Sequence, residues 1–254
     1  MLLKIKQFVV FVTFLALYSC SNKAGNPSHI TAKQLPIGKT LQVVDSIQDF
    51  VAPYRDRINT ILDSTLAYVP KTLVKDDGKL NTSAGNFMAD VVSAQANPIF
   101  ESRTGKSIDF VVLNHGGIRS IISKGHVNAR TAYQIMPFEN YIAIVEMNGK
   151  AVKDLLDFLA RSGRAHPISN MKLVIDASRN IVKAHINGKP FDENSTYYVA
   201  SNDYLVQGGD DMGFFKNRTA VTSTDYLVRN AIIDYFKKTD TIKATVDDRF
   251  IQLN

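Results

Sequence analysis

The stretch Phe110-Val111-Val112-Leu113-Asn114-His115-Gly116-Gly117-Ile118-Arg119 joins an apolar run to a polar loop with paired glycines. A continuous apolar run bounded by turn residues is typical of a strand buried on both faces. We therefore predict a strand over 107–113, followed by a loop. Glycines let the backbone approach a ligand closely, and Arg119 carries a planar cation suited to phosphate or carboxylate. A simple tight turn would use the same glycines, so both interpretations stay open.

On both sides of this stretch, the predicted helices and strands do not alternate regularly along the chain. Apolar spacings of three and four predict helices, and shorter apolar or alternating runs predict strands. Helices are expected over 44–66, 85–97, 149–159 and 225–237, and strands over 141–147, 171–175, 181–186, 196–200 and 249–253. Pro53 predicts either a kinked first helix or a helix that begins near it, and Asn97-Pro98 predicts the end of the second. The predicted fold class is α+β (mixed α/β), with strands and helices in layers and not doubly wound.

The composition indicates a folded globular protein. The chain has 254 residues, of which 45% are hydrophobic and 21% charged, so disordered, collagen-like and coiled-coil classes are excluded. A single cysteine excludes an internal disulfide and a cysteine-based metal site within one subunit. The formal net charge is +6, but no basic run is interleaved with aromatic residues. No nucleic-acid partner is therefore predicted.

The amino-terminal segment predicts export. Lys4 and Lys6 precede an apolar run from Phe8 to Leu17, which has the length of a signal-peptide core. A small residue directly before Cys20 resembles a lipobox, although Tyr18 is an imperfect lipobox residue. We predict a lipoprotein signal peptide over 1–19, lipidation of Cys20, a flexible polar tether over 20–38, and a lipid anchor in the bacterial cell envelope. An ordinary cleaved signal with an incidental cysteine is the alternative.

Two further loops contain residues suited to ligand binding. Met136–Asn140 presents Phe138, which would otherwise be a core residue, and 201–211 contains Tyr204, Gly208, Gly209 and Asp210. Two aromatic rings can sandwich a planar base, at roughly 1–3 kcal/mol per base. An amide can contact a base edge, a carboxylate can accept hydrogen bonds from ribose hydroxyls, and a guanidinium can bind a phosphate. Together with the first loop, these residues outline a nucleotide site.

Four motifs in order then resemble the carboxy-terminal domain of the 5'-nucleotidase and UDP-sugar hydrolase family. They are Gly85-Asn86-Phe87-Met88-Ala89-Asp90, Asn114-His115-Gly116-Gly117-Ile118-Arg119, Pro137-Phe138-Glu139-Asn140, and Asn202-Asp203-Tyr204 with Gly208-Gly209-Asp210. The resemblance implies that 39–254 is such a substrate-binding domain. It also implies that the helix over 45–66 is similar to the segment that joins this domain to its catalytic partner in full-length members.

The resemblance further implies a role for each site residue. Asn114 would contact the base and Arg119 the phosphate, while Phe138 and Tyr204 would stack on the base. Asp210 would hold the ribose. Tyr204 stands where the family usually has Phe, and Leu80 stands about where many members carry a second phosphate-binding Arg, a function for which Lys79 is a candidate substitute.

Full-length members also contain a metallophosphatase domain with two metal ions, and this chain lacks its ligand motifs. The five histidines show no metal-ligand spacing, so no metal and no cofactor is predicted in this chain, and divalent metals are expected only in a partner. The leading hypothesis is the nucleotide-recognising half of a split 5'-nucleotidase, with a separate metallophosphatase chain. The alternative is a stand-alone, non-catalytic nucleoside- or nucleotide-binding envelope lipoprotein. Two further hypotheses are an acid/base site built from His115, Asp203, Asp210 and Asp211, and a retained fold with another role.

Overall fold

A computed structural model of the chain describes residues 2–18, 29, 31–38 and 41–253. The α-helices in these ranges are α1 (Leu2–Tyr18), α2 (Asp45–Asp63), α3 (Ser83–Thr104), α4 (Ala129–Ile135), α5 (Gly149–Ser162), α6 (Asp203–Val206) and α7 (Val228–Lys238). The strands are β1 (Thr65–Val69), β2 (Phe110–Val112), β3 (Gly125–Asn128), β4 (Tyr141–Asn148), β5 (Ile168–Ser169), β6 (Met171–Ile175), β7 (Ile181–Ile186), β8 (Lys189–Pro190), β9 (Thr196–Asn202), β10 (Ala220–Leu227) and β11 (Phe250–Gln252). The chain divides into two units, residues 1–50 and 51–254.

The first unit contains α1, a helix of 17 residues. Among the helices in the described ranges, none combines the length and the apolar character needed to cross a membrane. Cys20 lies outside the described residues, as do 21–28, 30, 39 and 40. The signal peptide, the tether, the lipidation of Cys20 and the start of the domain at residue 39 therefore stay predictions.

The second unit is organised around a five-stranded sheet with the order β10-β4-β9-β2-β5. Only the β2–β9 pair in this sheet is parallel, and the other neighbours are antiparallel. A four-stranded sheet has the order β11-β6-β7-β8, and β1 pairs with β3. This mixed pairing confirms the α+β class and the absence of a doubly wound sheet in the described part of the chain.

The central sheet separates two hydrophobic cores, because neighbouring side chains of a strand point to opposite faces. Val111 and Ile144 pack into the core that contains the buried faces of α3 and α7. Val112 and Val145 pack into the core that contains the buried face of α5. Both faces of the sheet are therefore covered, which confirms the prediction made from the apolar run at Phe110.

The first two predicted helices have different boundaries in the structure. The first helix begins at Asp45 and includes Pro53, but it ends at Asp63 instead of reaching Leu66. The next residues form β1, in which Ala67 and Val69 are buried, so the pattern changes from a helical to a strand period. The second helix continues past Pro98 to Thr104. The prediction of an end at Pro98 was wrong because the buried face of α3 extends beyond the proline, through Ala96 to Phe100.

The last helix begins at Val228 and not at Asp225, because 220–227 form strand β10. This edge strand escaped prediction because four of its eight residues are Thr, Ser or Asp, only Thr224 of the eight is buried, and its pairing with β4 is interrupted by a bulge. The six predicted strands are present as β2, β4, β6, β7, β9 and β11, with ends that shift by up to three residues. The short strands β1, β3, β5 and β8 were not predicted. Both β2 and β9 lead directly into predicted ligand loops, so the sheet brings two of these loops together.

Candidate functional site: a cavity built from three loops

A cavity of about 340 Å³ lies where the three predicted loops meet, and we call it the loop cavity. Its lining residues are Asn114, Gly116, Gly117, Arg119, Phe138, Asn140, Tyr204 and Asp210. All five predicted ligand-binding side chains thus line a single cavity, although they come from positions up to 96 residues apart. A larger cavity of about 650 Å³ lies beside α5 and β7, but no sequence motif contributes to it.

The first loop is shaped by contacts among its own side chains. Asn114 follows β2, is almost fully buried, and donates a hydrogen bond from Nδ2 to Asp210 Oδ2 at 2.6 Å. A Cβ atom on Gly117 would lie 2.7 Å from Asn114 Oδ1. Glycine is therefore required at this position to make room for the Asn114 side chain. This packing role is one that sequence reasoning did not predict for the paired glycines.

The third loop begins at the end of β9. Asn202 caps α6 by accepting a hydrogen bond from the backbone N–H of Leu205 at 3.0 Å. Asp203 Oδ1 accepts hydrogen bonds from the backbone N–H groups of Tyr204 and Tyr141, at 2.9 and 3.1 Å. These contacts tie the start of α6 to the start of β4. As a result, Tyr204 is presented beside the loop that carries Phe138.

Gly209 supports Tyr204, and neither Gly208 nor Gly209 belongs to the cavity lining. A Cβ atom on Gly209 would lie 2.4 Å from Cζ of Tyr204, so the ring packs directly on the Gly209 backbone. Gly208 has a φ of 99°, in the left-handed region that favours glycine. Tyr204 Oη donates a hydrogen bond to Asp210 Oδ1 at 3.1 Å. This hydrogen bond raises the pKa of the Tyr204 hydroxyl, which therefore stays protonated at neutral pH.

The Phe138 loop is held from behind by Arg229, which sequence analysis missed. Arg229 lies in the first turn of α7 and donates from one guanidinium nitrogen to the carbonyls of Pro137 and Phe138, at 3.1 and 3.5 Å. Its guanidinium lies over the ring of Tyr133, 4.2 Å from the centroid. An arginine near the start of a predicted helix has no pattern that would identify it. Asn140 was also missed as a lining residue, although it was part of a quoted motif.

Arg119 makes only weak contacts within the described part of the protein. Its guanidinium carbon lies 5.8 Å from the centroid of the Phe138 ring, and one guanidinium nitrogen lies 3.4 Å from the Gly116 carbonyl oxygen. Neither Leu80 nor Lys79 lines the cavity. Leu80 is buried in the core that contains α5. The cation at the loop cavity is therefore Arg119, with most of its hydrogen-bond donors free of strong internal contacts.

His166 supports the first loop from below. It is buried, and its Nδ1 accepts a hydrogen bond from the backbone N–H of His115 at 3.4 Å. Burial, together with the neighbouring charges of His115 and Arg164, lowers the pKa of His166 to about 4. Neutral imidazole is thus the form that holds this backbone contact.

The predicted acid/base cluster does not assemble at the cavity. Of its four members, only Asp210 is a lining residue, while Asp203 accepts backbone hydrogen bonds and Asp211 lines a different cavity beside Phe158. Within the described ranges, no three His, Cys, Asp or Glu side chains form a group that could hold a metal ion. The described residues therefore do not fit a two-metal centre.

These features define a class of protein: a mixed α+β domain with a loop-built cavity that combines two aromatic rings, a guanidinium and a carboxylate. A family model described as "5'-nucleotidase, C-terminal domain" matches residues 66–217, which is more than half of the chain. The chain therefore belongs to the family of 5'-nucleotidase carboxy-terminal domains.

Comparisons with individual proteins agree with this assignment. The chain is 25% identical over 204 residues to Protein UshA of Yersinia enterocolitica, covering 79% of this chain and 36% of that protein. It is 26% identical over 194 residues to the cell wall protein Lmo0130 of Listeria monocytogenes, covering 67% and 24%. The match thus spans little more than a third of the length of Protein UshA and about a quarter of Lmo0130. The solved 5'-nucleotidase precursor of Thermus thermophilus shares the fold, with a TM-score of 0.67 and 21% identity over 83% of this chain and 43% of that chain.

Proposed function

We propose that this chain is the nucleotide-recognising part of a split 5'-nucleotidase that acts with a separate metallophosphatase chain. The observation that carries the proposal is the convergence of Asn114, Arg119, Phe138, Tyr204 and Asp210 on a single cavity. Membership of the 5'-nucleotidase family supports nucleotides as the ligand class. A volume of about 340 Å³ is within the usual range of small-molecule sites.

The aromatic residues are proposed to bind the base by stacking. Phe138 and Tyr204 are 40% and 47% exposed, although hydrogen bonds hold the backbone at both positions. Tyr204 packs on the Gly209 backbone but keeps nearly half of its surface exposed, so that part of its ring is available to a ligand. Asn114 would contact the base, and Asp210 would accept hydrogen bonds from ribose hydroxyls.

Arg119 is proposed to bind the phosphate. Its contacts with Phe138 and the Gly116 carbonyl are weak, so moving its guanidinium toward an anion would cost little. A guanidinium can make two parallel hydrogen bonds to phosphate oxygens. The cation is supplied by this chain, whereas water activation by two metal ions would be supplied by the partner.

The cell envelope is the proposed location. Lys4, Lys6 and the apolar run before Cys20 support export and a lipid anchor. A relative named as a cell wall protein supports an extracytoplasmic setting. Anchoring would hold the cavity close to a partner chain at the same surface.

The experiment is reconstitution of phosphate release from AMP and UMP. The purified chain, a candidate metallophosphatase chain that lacks this domain, and their mixture are assayed in parallel. A reading frame beside the gene for this chain is the first place to seek that candidate. We expect the mixture to release phosphate much faster than either component. A mixture no faster than the metallophosphatase alone would refute the split enzyme.

Calorimetry distinguishes the alternative of a stand-alone binding protein. Adenosine and AMP are titrated into the wild-type chain and into the double variant Phe138→Ala/Tyr204→Ala. Loss of binding in the double variant, with retention in Tyr68→Ala on β1, would support the cavity. Binding without any gain of hydrolysis on adding a metallophosphatase would favour the stand-alone protein.

A further inference from the structure

We infer that the Tyr204 hydroxyl is a positioning group that aims the Asp210 carboxylate at the two hydroxyls of a ribose, so that the cavity selects ribonucleosides over 2'-deoxyribonucleosides. This inference rests on the proposed function and deepens it. It assigns a role to an oxygen atom that a phenylalanine at position 204 would lack. That role requires the Asp210 carboxylate to be held in one orientation.

The backbone aims Asp210 into the cavity through an unusual conformation. Asp210 has a φ of 51° and a ψ of 39°, and Asp211 has a φ of 61°. Residues other than glycine enter this left-handed region at a cost, which aspartate and asparagine tolerate better than most. A conformation of this kind persists where surrounding contacts enforce it. The contacts of the carboxylate itself are therefore part of what holds the loop.

Two donors from different segments hold the two carboxylate oxygens. Asn114 Nδ2 donates to Oδ2 at 2.6 Å, and Tyr204 Oη donates to Oδ1 at 3.1 Å. With one donor on each oxygen, rotation of the carboxylate would break at least one hydrogen bond. The carboxylate plane is therefore set by both contacts together.

The position of the Tyr204 hydroxyl is itself constrained. The ring lies so close to Gly209 that a Cβ atom there would approach three ring atoms to 2.7 Å or less. The backbone of Tyr204 is tied to Asp203 and, through it, to β4. The hydroxyl is thus presented by a ring that is held at both ends, and it does not depend on a long flexible side chain.

The remaining acceptor capacity of Asp210 matches a vicinal diol. An ionised carboxylate has about four lone-pair sites on its two oxygens. With one site on each oxygen already occupied, each oxygen retains an acceptor. A ribose presents two neighbouring hydroxyl donors, whereas a 2'-deoxyribose presents only one there. A site built for a hydroxyl discriminates against the analogue that lacks it, because an acceptor that the bound ligand covers is then left unpaired.

The test compares adenosine with 2'-deoxyadenosine by calorimetry in the full chain. The variant Tyr204→Phe keeps the stacking ring and removes only the hydroxyl. Tyr226→Phe is the matched control, because Tyr226 Oη also donates to a carboxylate, Asp234 Oδ2 at 2.8 Å, outside the cavity. We expect Tyr204→Phe to weaken adenosine about tenfold, the order of one hydrogen bond to a charged group, with little change for 2'-deoxyadenosine. Tyr226→Phe should change neither affinity.

The readout is the affinity for adenosine divided by the affinity for 2'-deoxyadenosine. A general loosening of the fold would weaken the binding of both ligands alike and leave this ratio unchanged. A ratio in Tyr204→Phe equal to the wild-type ratio would overturn the positioning role while leaving the proposed function intact. A wild-type chain that binds no nucleoside would overturn both proposals. A ratio that falls in Tyr204→Phe but not in Tyr226→Phe supports the inference.

Discussion

Two arginines show how differently the same side chain is used in two regions of this domain. Arg249 donates to both oxygens of Asp90 at 2.9 and 3.0 Å, to Asp247, and to the Ile168 carbonyl, so its donors are satisfied internally. Arg119, at the loop cavity, has one contact of 3.4 Å to a carbonyl and a place over the Phe138 ring. Arg249 therefore links distant segments of the fold, whereas Arg119 keeps hydrogen-bond donors that a ligand could use.

The same contrast separates the sequence motifs. The Gly85–Asp90 motif belongs to the Arg249 region, which we call the Asp90 cluster and which comprises Asn81, Asn86, Asp90, Ser169, Asp247 and Arg249. Asn86 donates to Asn81 Oδ1 at 2.9 Å and to the Thr245 carbonyl at 2.8 Å, and Ser169 donates to Asp90 at 2.6 Å. None of these residues lines the loop cavity. One motif shared with the family therefore contributes to packing, whereas the residues proposed to bind a ligand belong to the other region.

The largest expected effect is a loss of stability at acidic pH through His166, which supports the first loop of the loop cavity. The pKa of His166 is about 4 in the folded protein, below its ordinary value of 6.5. Because the pKa of His166 is lower in the folded than in the unfolded state, its contribution to the free energy of unfolding is fully present above pH 6.5. That contribution is lost as the pH falls toward 4. Over this window the free energy of unfolding should fall by about 3 kcal/mol through this residue.

Denaturant unfolding at pH 7, 5.5 and 4.5 measures this effect. The variant His166→Gln should show a smaller loss of stability on acidification than the wild type, since carboxylates that titrate in the same range are common to both. His126→Gln, at an exposed histidine, is the control and should follow the wild type. Parallel curves for wild type and His166→Gln would contradict the assignment.

A somewhat smaller effect is expected from Arg249→Met, which tests whether the Asp90 cluster serves only the fold. Removing one partner of a partly buried ion pair leaves the other poorly compensated, and solvent at Asp90 moderates the cost. We expect the free energy of unfolding to fall by about 2 kcal/mol, as measured by denaturant unfolding. Adenosine affinity of the folded variant should be unchanged. If the fully folded variant, without denaturant, bound adenosine more weakly than the wild type, the separation of the two regions would be contradicted.

The smallest effect is expected from Arg119→Met, the counterpart in the loop cavity. Stability should change by less than about 0.5 kcal/mol, because Arg119 makes only weak internal contacts. AMP should bind about tenfold more weakly, the scale of a charge-assisted hydrogen bond, while adenosine affinity stays the same. Calorimetry with both ligands measures the difference. Equal losses for AMP and adenosine would mean that Arg119 does not act on the phosphate.

Several features that sequence analysis missed depend on contacts between segments that are distant in the sequence. Strand β10 is polar and lies at a sheet edge, so its pairing with β4 is visible only in three dimensions. The helix α3 passes Pro98 because Phe100, further along, packs against Tyr198. Arg229 holds the Phe138 loop from a helix that begins 90 residues later in the chain. In each case the deciding contact joins residues that are distant in the sequence.

By itself, the sequence determined the mixed class, the buried central strand, most of the elements and the five side chains that converge on the loop cavity. Periodicity and composition act locally, and so they can be read from one chain. Only the tertiary structure decided that Gly117 makes room for Asn114, that Gly85–Asp90 serves the fold, and that both oxygens of Asp210 are already held. Hydrogen bonds and close approaches between distant segments exist only once the sheet has brought those segments together.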